Sequence, residues 1–266
     1  VDGHLERFAE LVRRPEADLP LGAACLSIGA HLDRSEPIDV DHQLGHLDEL
    51  AAGVDAPDLG ALIEHLFGRL GFRGDTDHYR DPANSFLHRV LERRLGIPIT
   101  LSVLTLEVGH RVGVALDPVG MPGHFLLRDR LDPDVFVDPF SGGATLSRAG
   151  CERLFSHLHD QARFAPHFLD PTPSRQVVVR VLANLRASYV GLGDRRRLVE
   201  VQRLATLLPG AKVDDRRALA AALARTGRFD EAAAELEDTA AAAGEGGDGD
   251  PGALRAEARR FRARLN

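Results

Sequence analysis

This 266-residue chain has little lysine, little cysteine and no long apolar run. Lys212 is its only lysine, every other basic residue being arginine, which reads as codon composition rather than function. Two cysteines, Cys25 and Cys151, are too few and too far apart for a disulfide framework or a cysteine-rich zinc site. No uncharged run reaches the length of a membrane span, and no charged-then-apolar leader opens the sequence, so a cytoplasmic protein is expected, with no membrane partner. Acidic residues outnumber basic ones by 40 to 33, a net charge of −7. That balance argues against nucleic acid as a main partner, since its binders carry a basic surface. The triplet Arg195-Arg196-Arg197 reads as a solvated face. With 44% hydrophobic and 27% charged residues, the chain can build a sizeable core.

The first 71 residues have helical spacing. Leu5, Phe8, Ala9 and Val12 mark one helix, ended by Pro15, and a second is expected over about 18–32 with Cys25 on its apolar face. A third begins at Asp39, a natural N-cap, and runs to about residue 54; a fourth covers 58–70 and stops at Gly71. His42 and His46 lie four apart on the third helix, a spacing that can bind a metal, but no third ligand is near and solvent-exposed histidines are expected. Arg73-Gly74-Asp75 is read as a turn.

The chain is organised around residues 84–140. A helix is expected from Asn84 to Leu95, capped by Asn84 or Ser85 and stopped by Gly96. Pro98 then opens a helix, about 99–112, that is apolar over much of its circumference and therefore central. Strands are expected at 116–121, 123–128 and 135–138, placing His124 inside a strand and Asp138 at the end of the next. Ser141-Gly142-Gly143 reads as a turn and Ser147 as the start of a helix that carries Cys151 on a packed face. Residues 164–175 read as a linker. Helices are expected from Gln176 onward, with the pair 215–226 and 229–243 following a tetratricopeptide-like pattern of small residues, Gly227 and Phe229. Gly244–Asp250 reads as an acidic connector before a last arginine-rich helix.

The order helix start, histidine, aspartate has a chemical meaning. A nucleophile at a helix N-terminus, a histidine base and an acid that orients the imidazole together perform acyl transfer. His124 and Asp138 supply the last two. Taken singly, a histidine beside glycine is commonly a structural hydrogen-bonder, and Asp-Pro commonly starts a turn.

Four segments resemble the SirB-type family of transglutaminase-like proteins: Asn84–Leu87, Arg94–Leu104, Pro122–Leu126 and Asp138–Phe140. The resemblance spans roughly residues 15–240. It implies an α+β fold in three parts: an N-terminal helical segment (1–71), a papain/transglutaminase-like core with a small antiparallel sheet (72–170), and a tetratricopeptide-like helical bundle (171–266). It places His124 and Asp138 at the catalytic histidine and aspartate. The departure is the nucleophile, because active members carry a cysteine at the start of the core helix and residues 99–102 contain none. Thr100 and Ser102 are the available hydroxyls. They point about 200° apart on a helix, so only one can face His124, and Thr100 is favoured. Asn84 is a candidate oxyanion donor or helix cap. Glu107 is a candidate for the same cleft or for an ion pair with Arg111 or Arg93.

The leading expectation is a transglutaminase-like protein without the usual cysteine, binding a peptide or protein segment in its core cleft, with a further protein contact on the C-terminal helices. The alternative is a hydrolase or acyltransferase using Thr100 or Ser102 with His124 and Asp138. No cofactor or metal is expected; a metal site would require His124 and Asp138 to be joined by His78 or His110.

Overall fold

The sequence pattern builds an α+β fold, and a computed structural model describes residues 3–242 and 249–264, which hold twelve α-helices and two small sheets. Most of the expected connector Gly244–Asp250 lies outside the described residues. The N-terminal helices are α1 (Gly3–Arg13), α2 (Leu21–Leu32), α3 (Val40–Ala52) and α4 (Leu59–Ile63), the last continuing as a wide π turn over Glu64–Arg69. The Asp39 carboxylate caps α3 by accepting from the Asp41 and His42 amides. Helix α2 starts after prolines and has no cap of its own. Its Gly22 amide instead donates to Glu107 Oε1 at 2.7 Å, a carboxylate brought to the helix N-terminus from elsewhere in the chain.

The segment after Gly71 departs from expectation. Asp81 and Pro82 start a single 3-10 turn (Pro82–Ser85), with the Asp81 carboxylate accepting from the Ala83 amide, so Asn84 is not a cap. Helix α5 is only Leu87–Arg93. Arg94 ends it by entering the left-handed region at φ 58°, two residues before the expected stop at Gly96. Nor is Arg73-Gly74-Asp75 a simple turn: Arg73–Gly74 (β1) pairs in parallel with Leu95–Gly96 (β2), and Asp75 is buried.

Helix α6 (Pro98–Val112) is central, with every residue from Pro98 to Thr105 buried. A four-stranded antiparallel meander follows: β3 (Leu116–Val119), β4 (Leu126–Asp129), β5 (Val135–Asp138) and β6 (Ala144–Ser147). Alternation along the strands divides two cores. Leu127 and Val137 join the large cluster around α6, whereas Leu126 and Phe136 face Cys151 and Phe155 of α7 (Arg148–Leu158). Strand β6 is not foreseen because it is an edge of small and polar residues, held by pairing to β5 rather than by burial.

Helices α8 (Ser174–Leu192) and α9 (Arg195–Thr206) complete the large cluster through Val181, Leu185, Val201 and Leu204. Helices α10 (Val213–Arg225), α11 (Phe229–Ala242) and α12 (Pro251–Arg262) form a smaller core of Leu219, Leu223, Leu236 and Leu254. Gly227, at φ 81°, makes the turn between α10 and α11. Among the described residues no helix is long and apolar enough to cross a membrane.

Candidate functional site

The sheet brings His124 and Asp138 together by a route slightly different from the expected one. His124 is not inside a strand. Pro122 has no N–H to give a ladder, and Gly123 takes φ 76°, so Met121–His124 forms a turn closed by the His124 amide on the Met121 carbonyl at 3.0 Å. Strand β4 starts two residues later. Its register with β5, Leu127 against Val137 and Arg128 against Phe136, places the turn beside the Asp138–Phe140 corner.

There His124 Nε2 lies 2.9 Å from Asp138 Oδ1. The carboxylate is held from behind. Its Oδ1 accepts from the Phe140 and Ser141 amides at 3.0 and 3.2 Å, and its Oδ2 accepts from the Ser141 hydroxyl at 2.8 Å. Burial works to raise the Asp138 carboxyl, but the hydrogen bond and charge of His124 and the donors of Ser141 outweigh it, leaving the carboxyl below its ordinary range. Asp138 is therefore a fixed anion whose geometry sets the imidazole's orientation.

Aromatic and cationic groups enclose this pair. Phe140 meets the His124 ring edge-on at 6.1 Å between centroids, and Tyr79 meets Phe140 in the same manner at 5.8 Å. Tyr79 remains 45% exposed, so an aromatic face reaches solvent here. From α8, Arg180 donates through Nη2 to the carbonyls of His124 (3.0 Å) and Met121 (3.4 Å), and its guanidinium lies 5.0 Å from the Phe125 ring centroid. Among the described residues no carboxylate pairs with Arg180. Burial lowers its pKa and the nearby Tyr79 raises it, with burial prevailing. Tyr79, Ser141 and Arg180 are not foreseen from the sequence, although a single arginine inside Val177-Val178-Val179-Arg180-Val181 is a signal that a cation enters an apolar layer.

The hydroxyls at the start of α6 do not reach His124 by hydrogen bonds. Thr100 is 2% exposed, and its Oγ1 donates to the Asn84 carbonyl at 2.6 Å while accepting from the Ile97 amide at 3.2 Å. Ser102 is fully buried, and among the described residues its hydroxyl meets no hydrogen-bond partner. Asn84 is also fully buried: Nδ2 donates to Asp75 Oδ2 (3.0 Å) and the His78 carbonyl (2.8 Å), and Oδ1 accepts from Arg93. These contacts lock residues 75–84 against α5 and leave neither Nδ2 hydrogen free. Glu107 lies between the Gly22 amide and Arg111, whose Nη1 donates to Oε2 at 2.7 Å, so it joins helices rather than lining the site. Neither thiol is poised as a nucleophile, although Cys151 lies close enough to the pair for the Asp138 charge to help raise its pKa. Burial pushes Cys25 strongly up, and Cys151 up to about 11, so both stay protonated near neutral pH.

Among the described residues no three histidine, cysteine or acidic side chains converge to hold an ion. His78 is largely exposed, 4.0 Å from Asp75, and His110 is exposed in the last turn of α6.

A model of the transglutaminase-like superfamily matches residues 35–183, the stretch holding α5, α6, the sheet and most of α8. The chain belongs to the transglutaminase-like superfamily. It also belongs with the UPF0162 proteins. It is 31% identical to one from Pseudomonas aeruginosa over 77% of each chain, and 44% identical to one from Xylella fastidiosa over 49% of this chain and 48% of the relative. The alignment thus spans about half the length of the latter. F-box only protein 21 of Homo sapiens is 38% identical over 36% of this chain and 17% of its own length. No solved structure matches. In this transglutaminase-like chain the histidine and aspartate stand together, while neither thiol nor the hydroxyls of the core helix are hydrogen-bonded to them.

Proposed function

We propose that the chain is a transglutaminase-like module of SirB type that recognises a peptide or protein segment beside His124 and forms no acyl intermediate. The observation that carries this reading is the state of the core helix N-terminus. The hydroxyl best placed to replace a thiol, Thr100 Oγ1, is held by the Asn84 carbonyl and the Ile97 amide. A hydroxyl is far less acidic than a thiol and needs its base within hydrogen-bond reach, so this engagement favours binding over acylation.

Three further features fit. Tyr79 offers an exposed aromatic face next to Phe140, as recognition surfaces do. Among the described residues Arg180 is a cation without a carboxylate partner, which favours a segment bearing an acidic residue. The related region of F-box only protein 21 is a small part of a longer chain, as expected of a module. In this reading residues 72–170 carry the site, the helices before them supply support, and the tetratricopeptide-like helices after residue 171 offer a second protein contact. A cytoplasmic location fits two free, buried cysteines.

A second reading, a hydrolase or acyltransferase using Thr100 or Ser102, is favoured by one observation, the 2.9 Å bond that orients His124 as a general base would be oriented. One experiment separates the two. A photo-crosslinking amino acid at position 79 is combined with turnover assays on peptide amides and esters. The binding reading predicts a discrete crosslinked protein, lost in His124→Ala, and no turnover above the His124→Ala background. Sustained His124-dependent turnover would establish the hydrolase reading instead.

A further inference from the structure

A cavity of about 590 Å³ that shares no residue with the His124–Asp138 site lies where the end of α2 meets the start of α9 and the α10–α11 turn. Its size is that of a small-molecule site, within the usual range of roughly 300–1,000 Å³. Four arginines line it: Arg34, Arg196, Arg197 and Arg228. Among the described residues two acids, Asp194 and Glu200, stand in the same wall, so it carries an excess of positive charge in a chain of net charge −7.

The excess is concentrated on two groups. Arg197 is already engaged, donating to Asp194 Oδ2 at 3.1 Å and to the Leu32 carbonyl at 3.3 Å. Arg228 is held by Glu231 at 2.6 Å and approaches Glu200 at 3.5 Å. The guanidinium groups of Arg34 and Arg196, both exposed, meet no carboxylate among the described residues. Beneath them the ring of His31, 3% exposed, lies with Nε2 3.3 Å from Glu200 Oε2. That contact, with Arg203 and Arg228, outweighs burial and holds Glu200 below its ordinary pKa, so the floor of the cavity is an ordered polar network.

We propose that this cavity binds a small polyanion carrying at least two phosphate or carboxylate groups, gripped by Arg34 from the α2 side and Arg196 from α9. Arginine suits this role because its planar fork presents two parallel donors to either kind of oxyanion and stays charged at all working pH. A concave wall with an excess of one sign also focuses the field on the ligand. Because Arg34 lies in the loop just after α2 and Arg196 in the first turn of α9, the bound anion bridges the N-terminal helices and the C-terminal ones.

The test is isothermal titration of the full chain with sodium tripolyphosphate and, separately, with citrate. The proposal predicts one saturable site for at least one of the two, tripolyphosphate alone marking a phosphate site and citrate alone a carboxylate site. Binding should weaken at least tenfold in Arg34→Glu and in Arg196→Glu. Arg195→Glu makes the same charge change one residue outside the cavity and should bind like the parent. Arg34→Gln and Arg196→Gln, which remove one charge without reversing it, should weaken binding several-fold and guard against misfolding of the glutamate variants. Absence of saturable binding for both anions, or equal weakening by Arg195→Glu, would overturn the proposal.

Discussion

His124 Nε2 sits 2.9 Å from Asp138 Oδ1 while the same carboxylate takes three donors from Phe140 and Ser141. The anion is thus fixed before the imidazole is oriented. Replacing it by Asp138→Asn keeps the shape but removes the charge that three N–H or O–H groups and the imidazole all address. A loss of about 1–3 kcal/mol is expected, measured by urea unfolding at pH 7.

The same carboxyl sets a pH dependence. Its folded pKa is depressed, so the unfolded chain binds its proton more readily. The stabilisation is fully present above the unfolded value, about 4, and is lost as pH falls through the folded value. Unfolding midpoints recorded between pH 5 and pH 2 should fall less steeply for Asp138→Asn than for the parent chain. Parallel curves would show that Asp138 is not the anion described.

The two hydroxyls of the core helix should respond in opposite directions. Thr100→Val removes a donor to the Asn84 carbonyl and an acceptor for the Ile97 amide in a buried place, at a cost of about 1–3 kcal/mol, whereas Thr100→Ser keeps both. Ser102 has a buried hydroxyl without a partner, so Ser102→Ala should be neutral or stabilising by up to ~1 kcal/mol. Thermal melts of the three variants give the comparison. A large loss in Ser102→Ala would mean that its hydroxyl has an essential partner.

Thiol reagents give an independent check. With burial holding both cysteines protonated, neither Cys25 nor Cys151 should react with iodoacetamide at pH 8 in the folded chain, and both should react in denaturant. Fast labelling of either in the native state would make that thiol a candidate nucleophile.

How far the sequence carried the reading depends on which signal each residue leaves. Periodicity located α1–α3, α6 and α8–α11 because each buries a continuous stripe, and it found β5 because Val135-Phe136-Val137 faces two cores. It missed β6, whose Ala144–Ser147 buries little and is held by backbone pairing. The proximity of Asp138 to His124 was legible from motif and order, although the turn at Pro122-Gly123 moves His124 out of the strand. The Asp75 carboxylate was not legible: a buried anion receiving the His78 amide, Asn84 and Arg93 looks, in sequence, like one more turn residue. Long-range partners such as Glu107 on Gly22, 85 residues away, leave no local trace.

Arg180 links the α8 helix to the histidine turn through two carbonyls. Arg180→Gln should loosen that turn without unfolding the chain, raising hydrogen exchange at the His124 amide by about tenfold or more, while Arg180→Lys recovers part of the protection through a single charged donor. Unchanged exchange in Arg180→Gln would remove Arg180 from the support of the site.

The central claim, a histidine–aspartate pair serving recognition with no nucleophile engaged, is tested most directly by covalent trapping. The chain is incubated with a fluorophosphonate and with an activated acyl ester, then digested and mapped by mass spectrometry. The account predicts no adduct on Thr100 or Ser102 above the level seen in His124→Ala. A stoichiometric adduct on Thr100 that disappears in His124→Ala would contradict it.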